Sequence, residues 1–270
     1  MTGDTAGCDA AGCDAAGCDV VVSFDLDAEE VWIGEDPANA ARPGVLSQGT
    51  YGPKVAVPLL LDLLQHLDVP ATFFVPGRVA ERHPARVEEI LAAGHEIAHH
   101  GYTHTSPTRL TPEQEEDELV RGLEVLRGLG ADVVGYRSPA WEFSPCTLDL
   151  LVRHGFAYSS NLMDDLRPYR HAGHDLVELP VHWSLDDAPH FWFSLASWSR
   201  SIASAAQVRA IWEEELAGFR RLGGLFLLTL HPQIIGRPGR LAMLEAFLTA
   251  ARGDTALRFA TARAVAEAVA

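Results

Sequence analysis

The sequence predicts an α/β fold, a deformed barrel of mainly parallel strands surrounded by helices. Short apolar runs typical of buried strands alternate with segments of helical periodicity through most of the 270 residues. Most of the polar residues of interest follow directly after one of these runs. In a parallel barrel the carboxyl ends of the strands share one face, where active sites are built. We therefore expect one catalytic domain, residues 20–270, with its site at that face.

The elements can be assigned in chain order from their periodicity and their flanking residues. Strands are predicted at residues 20–24, 71–75, 95–98, 133–136, 176–180, 225–230 and 257–259. Helices are predicted at residues 55–67, 81–93, 112–129, 144–154, 207–222, 240–251 and 262–270. The stretch 28–53, which glycine and proline interrupt, is interpreted as a substrate-side loop. The aromatic- and serine-rich stretch 188–201 fits no regular pattern.

The composition excludes several classes of partner. The formal net charge is −16, and a protein this acidic is repelled by nucleic acid and by anionic membranes. No apolar run approaches the roughly 20 residues needed to cross a bilayer, and no basic region precedes an apolar core at the N-terminus. We expect a cytoplasmic protein with a small-molecule or short sugar substrate. The oligomeric state is left open, a homo-oligomer included.

The first 19 residues predict a flexible, low-complexity tail. Cys8, Cys13 and Cys18 lie in a repeat of Ala-Gly-Cys-Asp, with neither zinc-site spacing nor a disulfide-dense setting. A tail that chelates a soft metal is the alternative. Cys146 follows a proline at a predicted helix start and is interpreted as structural.

Two histidines and a pair of aspartates indicate a metal site. His100 and His104 can converge on one cation if the backbone between them turns like a helix, because positions four apart share a face. Asp25 and Asp27 follow the first strand, so either offers the carboxylate that such a pair needs. His231 closes a later apolar run. Because all of these follow strands, we predict that they form one hydrolytic metal site.

At these residues the chain resembles the polysaccharide deacetylase superfamily, the NodB-homology domains of carbohydrate esterase family 4. The resemblance runs from about Val20 to the C-terminus and implies a barrel of about seven β/α units, a variant of the TIM barrel. Leu26 separates the two acids and Gly101 follows His100. With the runs at 47–52, 94–96 and 183–187, these features resemble the peptidoglycan-deacetylase-like, cyclic-imidase and allantoinase-like branch.

The resemblance implies a metal-ligand set and a cofactor. Asp27, His100 and His104 match the positions that hold one divalent ion, expected to be zinc, with cobalt, nickel or iron as alternatives. Two imidazoles and one carboxylate leave positions open on a zinc ion for water and a substrate carbonyl. The same donor set also describes the facial triad of non-haem iron oxygenases, which is one alternative.

The resemblance also implies the acid and base groups. Asp25 matches the catalytic base and Arg137 the arginine that orients it. His231 matches the general acid, with Asp186 or Asp187 orienting it or tuning its charge. A base that activates water and an acid that protonates the departing nitrogen are what amide hydrolysis needs.

We therefore expect a metal-dependent hydrolase of non-peptide carbon–nitrogen bonds that removes an N-acyl group from a small or sugar substrate. Ring opening of a cyclic imide or ureide is the alternative reaction, and a catalytically inactive metal-binding module is the alternative outside enzymes. Tyr51, Trp141 and Trp183 are the predicted substrate-binding residues, although the two tryptophans also suit a core.

Overall fold

The computed structural model describes residues 17–193 and 201–269, and within them one nine-stranded sheet forms the centre of the fold. The strand order is β6-β7-β5-β4-β3-β2-β1-β8, with β9 also paired to β1. Only the β6–β7 pairing is antiparallel among these strands. The strands are β1 Cys18–Asp25, β2 Ala71–Val75, β3 Glu96–His99, β4 Gly135–Tyr136, β5 Tyr158–Ser159, β6 Tyr169–Arg170, β7 Val177–Glu178, β8 Gly224–Leu230 and β9 Leu257–Phe259.

The sheet curls so that the segment after β7 reaches β8. A parallel bridge joins Asp186 to Thr229 and brings the two sides of the sheet together. Helices α1–α12 cover the outside, which confirms the predicted barrel-like α/β fold. They are α1 Glu30–Glu35, α2 Pro43–Tyr51, α3 Val57–Leu67, α4 Gly77–Arg82, α5 Pro84–Ala92, α6 Pro112–Gly128, α7 Thr147–Arg153, α8 Ala188–Phe191, α9 Ala205–Leu222, α10 Pro232–Ile235, α11 Pro238–Arg252 and α12 Ala262–Glu267.

The central strand β1 is buried on both faces, as its β-branched, apolar sequence predicts. Val20, Val22 and Phe24 pack in the core between sheet and helices. Val21 points the other way and packs with Phe74 and other side chains of the inner face. The strand therefore ends in a fixed position, and the residues that follow it inherit that position.

The N-terminal boundary of the domain differs from the prediction by two residues. β1 begins at Cys18, and Asp19 forms an ion pair with Arg258 of β9 at 2.6 Å. Hydrogen bonding to β8 and β9 draws these residues into the sheet. Cys8 and Cys13, with the rest of the predicted tail, lie outside the described residues.

The predicted loop at residues 28–53 is wrong, because this stretch is mostly helical. It contains α1, a 3₁₀ helix at Pro37–Ala41 and α2, and it continues through a π-helical turn at Gly52–Ala56 into α3. The prolines that suggested breaks stand in the first turns of these helices, where a missing N–H costs nothing. For the same reason the predicted helix 81–93 is two helices, since Pro84 starts α5.

The segment that resisted assignment, 188–201, begins with α8, and its residues 194–200 lie outside the described chain. Within the described residues, no helix combines the length and the apolar character that a bilayer crossing requires.

Candidate active site

The predicted site residues meet in a cavity of about 490 Å³ at the carboxyl end of the sheet. This volume lies within the roughly 300–1,000 Å³ range of small-molecule sites. Most of the residues predicted from the sequence line it, namely Asp25, Asp27, His100, His104, Trp141, Trp183, Asp186 and His231. Arg137 is fully buried behind the lining, whereas Tyr51 does not line the cavity.

Asp27, His100 and His104 form a cluster with the spacing of metal ligands. An Asp27 carboxylate oxygen, Oδ1, lies 3.3 Å from His100 Nε2 and 3.5 Å from His104 Nε2. Two ligand atoms bound tetrahedrally to zinc at 2.0–2.1 Å are about 3.4 Å apart. Both Asp27 oxygens are buried and accept no hydrogen bond from the described chain. Such orphaned oxygens beside two imidazole nitrogens fit a divalent cation.

The two histidines converge through a loop and not through the helical turn that the sequence suggested. Gly101 and His104 both have left-handed backbone conformations, with φ of 74° and 57°. The Glu118 carboxylate accepts two backbone N–H groups of this loop, at 3.0 and 2.7 Å. His100 Nδ1 lies 2.8 Å from the Arg137 carbonyl oxygen. Because a carbonyl only accepts, Nδ1 carries the proton and Nε2 is free to bind a metal.

The charge states of the ligands suit a metal as well. Burial lowers the pKa of His104 to about 4, so its imidazole is neutral at physiological pH. Burial would raise the pKa of Asp27, but His104, His100 and His231 together hold it well below its ordinary value. A neutral imidazole and an ionised carboxylate are the forms that coordinate metals.

Asp25, at the end of β1, is held by a buried arginine. Arg137 Nη1 donates to Asp25 Oδ1 at 2.6 Å and to Ser23 Oγ at 3.0 Å, and Nη2 donates to Ser160 Oγ at 3.0 Å. The other Asp25 oxygen, Oδ2, lies 3.8 Å from His100 Nε2. One oxygen is therefore fixed by the guanidinium while the other faces the metal-ligand cluster.

His231, directly after β8, is held from the opposite side by two aspartates. Its Nδ1 lies 2.7 Å from Asp187 Oδ1 and 3.6 Å from Asp186 Oδ1, and its Nε2 lies 3.6 Å from Asp27 Oδ2. The hydrogen-bonding partner is therefore Asp187. Asp186, the predicted catalytic acid of this pair, lines the cavity and accepts the Ala188 N–H at 2.7 Å.

The aspartates set the protonation of His231. Burial alone would lower the pKa of His231, but the charges of Asp186 and Asp187 raise it well above its ordinary value. Burial raises the pKa of Asp186 to about 7, with Asp187 adding to the shift and His231 opposing it. A protonated imidazole whose Nδ1 is engaged by Asp187 presents an Nε2–H toward the cavity, as a general acid requires.

Aromatic side chains wall the mouth of the cavity. The Trp141 and Trp183 rings lie 4.4 Å apart between centroids, and Trp183 is 46% exposed. Trp192, in the stretch that the sequence left unassigned, also lines the cavity and stacks on Trp32. These surfaces confirm that Trp141 and Trp183 belong to the pocket wall.

Tyr51 was predicted to bind substrate, but it lies elsewhere. Its hydroxyl donates to the Gly236 carbonyl at 2.9 Å, and the Arg237 guanidinium lies 3.7 Å from its ring centroid. Because residues 43–51 form a helix, Tyr51 packs toward α10 and α11 and not toward the site. Sequence reasoning missed Glu118, Ser160 and Trp192, which stand in a long helix, after a two-residue strand and in an unpatterned stretch, so no motif marked them.

Comparison with known proteins agrees with this geometry. Residues 50–159 match the family model for polysaccharide deacetylase. A peptidoglycan deacetylase of Helicobacter pylori is 32% identical over 92% of this chain and 94% of its own length. This chain belongs to the polysaccharide deacetylase family. The predicted resemblance is confirmed.

Solved structures of related proteins share the fold. One from Mycobacterium smegmatis, assigned to the polysaccharide deacetylases, is 42% identical with a TM-score of 0.91, over 96% of this chain and 92% of its own. An allantoinase is 21% identical with a TM-score of 0.78, over 95% of this chain and 91% of its own. At that identity the allantoinase shows a common fold alone.

Proposed function

We propose that this polysaccharide deacetylase family member is a metal-dependent hydrolase that removes an N-acyl group from a small or sugar substrate. One observation carries the proposal. The ligand cluster of Asp27, His100 and His104 lies between an arginine-held carboxylate, Asp25, and an aspartate-held imidazole, His231, in a single cavity. A base and an acid flanking a metal site are the groups that amide hydrolysis requires.

Each group has a definite part in the proposed reaction. A zinc ion held by the cluster would supply Lewis-acid chemistry, lowering the pKa of a water and polarising a carbonyl. Asp25 takes the proton from the attacking water, and Arg137 keeps that carboxylate ionised and in place. His231 gives its Nε2 proton to the departing nitrogen, because an amide nitrogen leaves only when protonated. Asp187 holds the other imidazole nitrogen.

The cavity's walls favour ring opening of a cyclic imide or ureide as a second candidate. Val31 and Gly34 of α1 line one side, and Trp141, Trp183 and Trp192 line others. A volume of about 490 Å³ with walls from several elements suits a small ring. The fold shared with an allantoinase is compatible with this reaction.

The paired acid and base favour either hydrolysis over an iron oxygenase or an inactive metal-binding module, since neither needs them. Zinc as the resident ion, a cytoplasmic location, a small-molecule or short sugar substrate and the absence of nucleic-acid and membrane partners remain predictions. They rest on the donor set and on the charge of −16.

The test is a mass-shift assay on zinc-loaded protein with N-acetylated sugars, short chitooligosaccharides, succinimide, hydantoins and allantoin. Asp25→Asn, which keeps the shape of the base without its charge, is the matched control. Loss of an acetyl group that the control does not produce supports deacetylation, and gain of one water without loss of a fragment supports ring opening. Equal activity of wild type and control would contradict the assignment of Asp25.

A further inference from the structure

Arg109 stands at the mouth of the cavity and has no part in the chemistry described above. Among the described lining residues it is the single arginine or lysine. We propose that Arg109 selects substrates that carry a carboxylate beside the amide that is cleaved. This inference rests on the proposed function, since it names the class of compound that the same site accepts.

The position of Arg109 is fixed relative to the metal ligands. Its Nη1 donates to the Gly34 carbonyl at 3.1 Å. Gly34 itself lies against the loop that carries His104, since a Cβ atom at Gly34 would be 2.7 Å from the His104 carbonyl oxygen. The guanidinium is therefore tied through α1 to the rim beside a metal ligand. A planar guanidinium held in this way loses little freedom when it binds a carboxylate.

The charge of Arg109 is not used within the described chain. The protein has 37 acidic and 21 basic residues, an excess that favours pairing of each arginine with an acid. The single hydrogen bond of Arg109 to the described residues goes to a neutral carbonyl, and the segment 194–200 contains no acidic residue in its sequence. An exposed guanidinium with donors left over can accept an anion from solution.

The other charges of the cavity have partners of their own. Asp25 is paired with Arg137, and His231 lies against two aspartates. Glu35 is the exception, an exposed acid on the same rim. Because Glu35 repels the anion that Arg109 attracts, the two residues should have opposite effects on a carboxylated substrate and little effect on a neutral one.

The experiment compares matched pairs of compounds that differ by one carboxylate, N-acetylmuramic acid with N-acetylglucosamine and hydantoin-5-acetic acid with hydantoin. Binding and turnover are measured for zinc-loaded wild type, Arg109→Gln and Glu35→Gln. Glutamine at position 109 keeps a donor for the Gly34 carbonyl but carries no charge. We expect Arg109→Gln to lower the carboxylated-to-neutral ratio of affinities about three- to tenfold and Glu35→Gln to raise it, with both effects shrinking in high salt.

A ratio that neither variant changes, equal losses for both members of a pair, or no binding of the carboxylated member would overturn the inference. Turnover decides the proposed function separately. A ratio of affinities that shifts as expected without turnover of any compound would support the carboxylate site and contradict the hydrolase assignment.

Discussion

Replacing Arg137 with methionine should destabilise the fold by about 3–5 kcal/mol, the usual cost of leaving a buried charge without its partner. Arg137 is fully buried and Asp25 is 2% exposed, so water cannot replace the guanidinium. The substitution also removes donors to Ser23 and Ser160, worth about 1 kcal/mol each. The charge left on Asp25 is the larger part of the loss.

That reasoning predicts a change of sign. Asp25→Asn should cost about 1–2 kcal/mol in the wild-type background, because it weakens a charge-assisted hydrogen bond. In the Arg137→Met background it should stabilise the protein by a similar amount, because it removes the unpaired charge. Arg153→Met is the matched control, an exposed pair with Glu116 at 3.1 Å that should contribute less than about 1 kcal/mol.

The assay is urea denaturation with a chelator present, so that metal binding does not contribute to the free energy of unfolding. An Asp25→Asn cost that is the same in both backgrounds would refute the reasoning.

Three further changes test other parts of the site. Gly34→Ala should weaken zinc binding about tenfold, because its Cβ would press on the His104 carbonyl; unchanged affinity in a chelator competition would contradict this. Tyr51→Phe should lower the free energy of unfolding by about 1 kcal/mol and leave kcat/KM unchanged, and a loss in kcat/KM would restore its role in substrate binding. Asp187→Asn removes a carboxylate that raises the pKa of His231, so the acid form is lost at lower pH and the alkaline limb of the kcat profile moves down; a profile like that of wild type would exclude His231 as the acid.

The metal ligands and the acid and base could be predicted because the sequence states their placement twice. Asp25 and His231 end the two longest apolar runs, and parallel pairing of those strands brings their carboxyl ends together. Asp27 follows Asp25 at a fixed offset, and His100 follows a third strand. Motif and topology agree at each of these positions, so the site could be assembled without coordinates.

Other features depend on contacts that one segment does not encode. Either Asp186 or Asp187 could have held His231, and the bridge from Asp186 to Thr229 decides that Asp187 makes the direct bond. The helices at 30–51 were missed because proline in a first helical turn and proline in a loop look alike in sequence. Tyr51 followed from that error, since its direction depends on the helix that carries it.

The central claim is that Asp27, His100 and His104 hold a catalytic divalent ion, and metal content measured alongside activity tests it most directly. Protein stripped with a chelator and reloaded with zinc should bind one equivalent and recover hydrolysis. Asp27→Ala should bind less than one-tenth of an equivalent under the same conditions and recover none. Full zinc binding by Asp27→Ala, or hydrolysis by the stripped wild type, would contradict the account.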